Sequence, residues 1–166
     1  MEHIQVKYID FNYRLFISSG FYIGLIIFVI LELFILNKFG LQLNYSLVFH
    51  ISTISLLSIF FYICYNKAKY YINEIELKEQ SIILTIYLLN RKLKSVEISY
   101  SELLIDLNKN LYEKFPRYTL EIKSKSPLNK TGNKFDIKQY EIGFWNKNNL
   151  KNVYKLISEK KAQLTS

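Results

Sequence analysis

Apolar and polar positions along this chain follow three different periods. From Leu15 to Asn37 almost every residue is apolar, and Glu32 is the one charge. From Ser46 to Asn66 there is no formal charge, only the titratable His50. A helix needs about 20 mostly apolar residues to cross the hydrocarbon core of a bilayer. Both runs reach that length, which predicts transmembrane helices over 15–37 and 46–66 joined by the connector 38–45. The first run is too long for the apolar region of a cleaved signal peptide and ends in "LNKFG" rather than in small residues. The rest of the chain is too polar to wrap both rods as a soluble core.

Beyond Tyr71 the period falls to two. Alternation predicts six antiparallel strands, over 72–79, 81–89, 93–99, 101–110, 117–125 and 135–142, with a turn at 90–92 and a loop at 126–134 that holds Pro127 and Gly132. The short segment "EIGFW" (141–145) could supply a seventh strand. The period then becomes helical: Leu150, Val153, Tyr154 and Ile157 fall at i, i+3, i+4 and i+7. This predicts an amphipathic helix over 146–162, with Asn146 or Asn148 as its N-cap. The fold class is membrane α+β. An N-terminal segment (1–14) and a two-helix hairpin (15–66) precede a small β-rich domain (67–166), whose terminal helix closes a strongly bent sheet.

Charge adds an orientation. The net charge of +8 lies entirely beyond residue 66, since the Lys/Arg and Asp/Glu before it cancel. Lys7 and Arg14 precede the first span, and Lys67 and Lys69 follow the second, whereas the connector carries only Lys38. Basic flanks favour the cytoplasmic side, so both termini are expected there, at an inner membrane. Tyr8, Phe11, Tyr13, Tyr62, Tyr65, Tyr70 and Tyr71 would form an aromatic belt at the inner interface. The basic domain would gain from an anionic leaflet. Cys64 is the single cysteine, so no disulfide forms within the chain.

Two spans followed by this β-rich region resemble bacterial PH-like membrane proteins. The similar stretches are "INEIELKEQSIIL", "KSVEISYSELLIDL" and "GFWNKNNLKNVYKLI". The resemblance spans about residues 15–160 and rests on apolar spacing. It implies a membrane-bound interaction module whose C-terminal helix plugs a barrel, without catalytic residues.

Candidate chemistry is sparse. Glu32 and His50 stand nearly equally far from the centre of the connector, so an antiparallel hairpin places them at nearly the same depth. Intramembrane ionisable groups usually face a partner or a cavity. Three readings stay open: a Glu32–His50 pair, a neutral or snorkelling Glu32, and a proton path. Gly20 and Gly24, four apart, would let helices approach closely, and Ser52, Ser55 and Ser58 share one side of the second span. Trp145 is a core anchor or a surface contact, and Arg117 and Lys69 are candidate contacts with a partner or the membrane. With only His3 and His50, a histidine-based metal cluster or a catalytic triad is not expected, nor is a phosphate-cradling glycine loop. The sequence therefore points to a non-enzymatic scaffold without cofactor or nucleic-acid ligand. It would bind a membrane protein or a second copy of itself, assisted by anionic lipid. An accessory subunit of a transporter using Glu32 and His50 is the alternative, and a toxin-binding immunity protein a weaker one.

Overall fold

The computed structural model describes residues 2–18, 26, 27, 29–31, 34, 38, 43–109, 118–127 and 134–165. In chain order the elements are β1 (Glu2–Gln5), α1 (Phe11–Ser18), α2 (Leu43–Ala68), β2 (Tyr70–Leu77), β3 (Ser81–Leu88), β4 (Arg91–Lys92), β5 (Val96–Ser99), β6 (Leu103–Lys109), β7 (Tyr118–Pro127), β8 (Lys134–Tyr140) and α3 (Lys147–Thr165). All strand pairs are antiparallel. One sheet runs β1-β2-β3-β4, with β5 also paired to β3, and the other runs β6-β7-β8.

The alternation seen in the sequence is what builds the core. Ile75 and Leu77 of β2 point inward, as do Ile82, Leu84 and Ile86 of β3, Leu120 and Ile122 of β7 and Ile137 of β8. Most of their polar neighbours face out, because successive side chains on a strand point to opposite faces; Thr85 is buried instead. The helix α3 lies on β6 and β7 and buries Leu150, Val153 and Ile157 in the same core. Asn146 caps it, its Oδ1 accepting from the Asn149 N–H at 2.9 Å. Its far end is tied down by Lys161, whose ammonium donates to the Leu103 carbonyl at 2.7 Å.

The two-residue β4 falls on the turn expected over 90–92, and two larger features depart from the sequence reading. The first is β1. Residues 2–5 do not merely precede the domain; they pair with β2 in the register Glu2↔Leu77 to Gln5↔Glu74. The second is "EIGFW", which forms bends and a turn instead of a strand. Gly143 holds a φ of +65° there, a region that favours glycine, and Trp145 turns inward and is fully buried.

β1 and its neighbours complete the outer edge of β2. That strand is irregular between Ile72 and Glu74. The Ile72 N–H donates to the Gln139 side-chain oxygen at 2.8 Å, and the Ile72 carbonyl accepts from the Trp145 indole at 2.7 Å. The Asn73 carbonyl accepts from the Val6 N–H at 2.8 Å, and β1 pairs with the rest. An edge that would otherwise invite foreign strands is thus covered.

The helix α2 behaves differently. Among the described residues, His50–Ala68 is the one helix long and apolar enough to cross a membrane, and only 11% of its apolar window is buried. Leu47, Ile51, Ile54, Leu56, Ile59, Phe61 and Tyr62 are all exposed on it. The expected span 46–66 lies wholly within α2. Of the span expected over 15–37, α1 covers the first positions, and residues 26, 27, 29–31 and 34 are helical with Ile26, Ile27, Ile30, Leu31 and Phe34 exposed. A complete first rod is not described, and the architecture that stands is α+β with two antiparallel sheets and one long apolar helix.

Candidate functional site

The helices meet the sheets at one junction, built around Arg14. The turn from β3 to β4 passes through Leu89, whose φ of +54° is unusual for a branched side chain. That conformation is held at both ends. The Leu89 N–H donates to the Lys69 carbonyl at 2.7 Å, and its carbonyl accepts from the Arg14 guanidinium at 2.5 Å. The next residue, Asn90, receives two bonds on its Oδ1, from the Tyr8 hydroxyl at 2.8 Å and from the Phe11 N–H at 2.7 Å. Asp10 caps α1 through the Asn12 N–H at 2.8 Å. One turn of the sheet therefore fixes where α1 begins.

Arg14 is fully buried. Its guanidinium carbon stands 4.9 Å from the ring centroid of Tyr71, 5.9 Å from Tyr8 and 6.0 Å from Phe11, within the range of cation–π attraction. Among the described residues, its Nε and a second terminal nitrogen have no hydrogen-bond partner. Arginine keeps its charge at any physiological pH, so this is a cation held by rings and one carbonyl. Burial raises the phenol pKa of Tyr71 and of Tyr8 against the opposing pull of Arg14. The Tyr71 hydroxyl donates to the Lys7 carbonyl at 2.8 Å. Among the described residues, the contacts of the junction hold α1, the β3–β4 turn and the start of β2 together.

From it a rim of lysines stacked on aromatic rings extends toward α3. Lys7 lies 5.7 Å from the Phe144 centroid and Lys69 5.3 Å from Tyr70, while Lys147 and Lys151 lie 5.7 and 5.4 Å from Tyr118. Lys7 and Lys69 flank the points where the chain departs for α1 and returns from α2. Tyr118 joins them because its N–H and carbonyl both bond Glu141. The turn at 142–145 completes the rim by packing on Ile9: a Cβ at Gly143 would stand 2.1 Å from the Ile9 Cδ1. Phe144 is 46% exposed there.

The residues singled out in the sequence fare unevenly. Trp145 is an internal anchor, so a surface contact through it is excluded by its burial. Lys69 sits on the rim and its ammonium donates to the Asn66 side chain at 2.8 Å. Ser55 and Ser58 bond back to the carbonyls of Ile51 and Ile54, each at 2.8 Å; Ser52 is exposed on the same helix and His50 is half-buried near its start. Glu32, Gly20, Gly24 and Arg117 lie outside the described residues. The expected aromatic belt divides: Tyr13 and Tyr62 are exposed, whereas Tyr71 is fully buried and Tyr8 packs on Tyr87, centroids 4.3 Å apart. Arg14, read in the sequence as a flanking charge, is an internal post. Local spacing relates Arg14 only to Phe11, three residues earlier on α1, because Tyr8 precedes the helix.

In comparisons with known proteins, no protein-family model, no curated protein and no solved structure matches this chain.

Proposed function

We propose that this chain is a membrane-anchored, non-enzymatic interaction protein. In this reading residues 15–37 and 46–66 form a hairpin in the bilayer, and the two-sheet domain, PH-like in its strand and helix order, lies against the cytoplasmic leaflet. One observation carries the reading. β1, before the apolar segments, and β2, after them, are neighbours in one sheet. A chain that leaves the domain and rejoins it on the same side crosses a bilayer an even number of times. The exposed apolar surface of α2 supplies the reason to enter lipid.

The Lys–aromatic rim supports a seat on anionic headgroups. Long lysine stems lie along apolar surface while their charges reach outward, and each basic residue near an anionic leaflet contributes about 1 kcal/mol. The occupant of the protein-binding role is a second copy or another membrane protein, reached through the spans or the domain.

The test is cross-linking in native membranes followed by purification in mild detergent, using wild type and Glu32→Gln. A cross-linked partner of defined mass that survives Glu32→Gln is the expected result. Recovery as a lone monomer under several conditions overturns the scaffold role. Loss of function with Glu32→Gln while the partner stays bound points instead to a proton path.

A further inference from the structure

The pairing of β1 with β2 has a chemical consequence on its outer face. His3 stands directly opposite Glu76, and Glu74 lies diagonally beside it on the same face of β2. The imidazole Nε2 is 2.5 Å from a Glu74 carboxylate oxygen. One ligand atom from each of His3, Glu74 and Glu76 can be chosen so that all three lie within 4.8 Å of one another. The sequence gives no warning of this, because His3 is separated from the two carboxylates by the whole apolar segment.

We propose that His3, Glu74 and Glu76 form a binding site for a divalent transition-metal ion of the zinc type. An imidazole nitrogen with two carboxylates is a donor set that suits borderline first-row ions and disfavours magnesium and calcium, which take oxygen ligands. Zinc binds such donors at about 2.0–2.2 Å. Side chains already this close need only small rotations, and His3 is free to make them because it is about half exposed. Glu74 stands opposite Thr85 on the neighbouring strand, so its backbone position is fixed by the sheet. Three protein ligands leave at least one position for water or for a partner's side chain.

The site would act as a clip. Its ligands come from the two strands that bracket the apolar segment, so the ion would pin the short β1 to the edge of β2. Loss of the ion would loosen four residues and expose that edge, the kind of surface that recruits another strand.

The experiment uses the full chain in nanodiscs, freed of metal, titrated with zinc chloride and separately with magnesium chloride by calorimetry. Saturable binding of one zinc per chain is expected, with no comparable magnesium heat. His3→Ala and Glu76→Gln should each weaken zinc binding at least tenfold. Amide exchange supplies a structural readout: zinc should slow exchange in residues 2–5 and 74–77 of wild type and leave both variants unchanged. Glu76→Gln keeps the shape of the strand, so it decides the matter if His3→Ala fails to fold. Absence of saturable zinc binding, or zinc binding undiminished in Glu76→Gln, overturns the proposal.

Discussion

The Cys64 thiol donates a hydrogen bond to the backbone carbonyl of Ser18 at 3.1 Å. This ties the end of α1 to a point one turn before the end of α2. The start of α1 is held nearer the β3–β4 turn, through Phe11 and Asn90. Phe11, at the start of α1, packs on Tyr65, ring centroids 5.8 Å apart, so both ends of α1 meet the last turns of α2. Ser18 and Cys64 share a midpoint in the sequence, Leu41, with Glu32 and His50.

This contact yields a direct prediction. With Cys64 as the only native thiol, Ser18→Cys places a second thiol at the residue whose backbone carbonyl the Cys64 sulfur already reaches. Mild oxidation should give an intramolecular disulfide, read as a mobility shift on a non-reducing gel and reversed by reductant. A chain that stays reduced, or that forms only dimers, contradicts the packing of α1 on α2.

Trp145 binds the two sheets together through its indole bond to the Ile72 carbonyl. Trp145→Phe keeps most of the volume and removes the donor. A buried acceptor without its partner costs about 1–3 kcal/mol, visible as a lowered melting temperature of the domain. Trp145→Ala adds a cavity and should cost about 3–5 kcal/mol.

Gly143 combines a positive φ with close approach to Ile9. Gly143→Ala should destabilise by more than about 1 kcal/mol. The double variant with Ile9→Ala removes the steric clash but not the backbone strain, and it forfeits the packing of a buried side chain. Melting curves should show sub-additive losses for the pair, whereas strict additivity would argue against contact between them.

Glu121 sets a pH dependence. Burial pushes its carboxyl up, but hydrogen bonds from Lys138 and Lys123, at 2.6 and 2.9 Å, outweigh that and bring it below the usual range. Its folded-state pKa is therefore below the unfolded one. The stabilisation is complete above the unfolded value of about 4.3 and is lost as pH falls through the folded value. Glu121→Gln should lower stability at pH 7 and flatten its decline in acid, measured as melting temperature from pH 7 to pH 3.

Much of this architecture is legible in the chain. Strands β2, β3 and β5 to β8 follow the alternation of Ile75/Leu77, Ile82/Leu84, Leu120/Ile122 and Phe135/Ile137, and α3 follows the spacing of Leu150, Val153 and Ile157. What the pattern hides is what long-range topology creates. "EHIQ" is too short to announce a strand, and its partner lies beyond the apolar segment. Arg14 looks like a flanking charge because nothing local shows that Tyr71 will return beside it. "EIGFW" has the composition of a strand, yet Gly143 turns it and Trp145 is drawn into the core.

The central claim is that the apolar segments leave the domain and return to it as a hairpin across one bilayer. It is tested by labelling single cysteines in intact bacterial cells with a membrane-impermeant maleimide, in a Cys64→Ala background. Gly40→Cys should label in intact cells, while Glu79→Cys and Lys151→Cys should label only after permeabilisation. Labelling of Glu79→Cys or Lys151→Cys from outside, or protection of Gly40→Cys together with recovery of the protein in the soluble fraction, contradicts it.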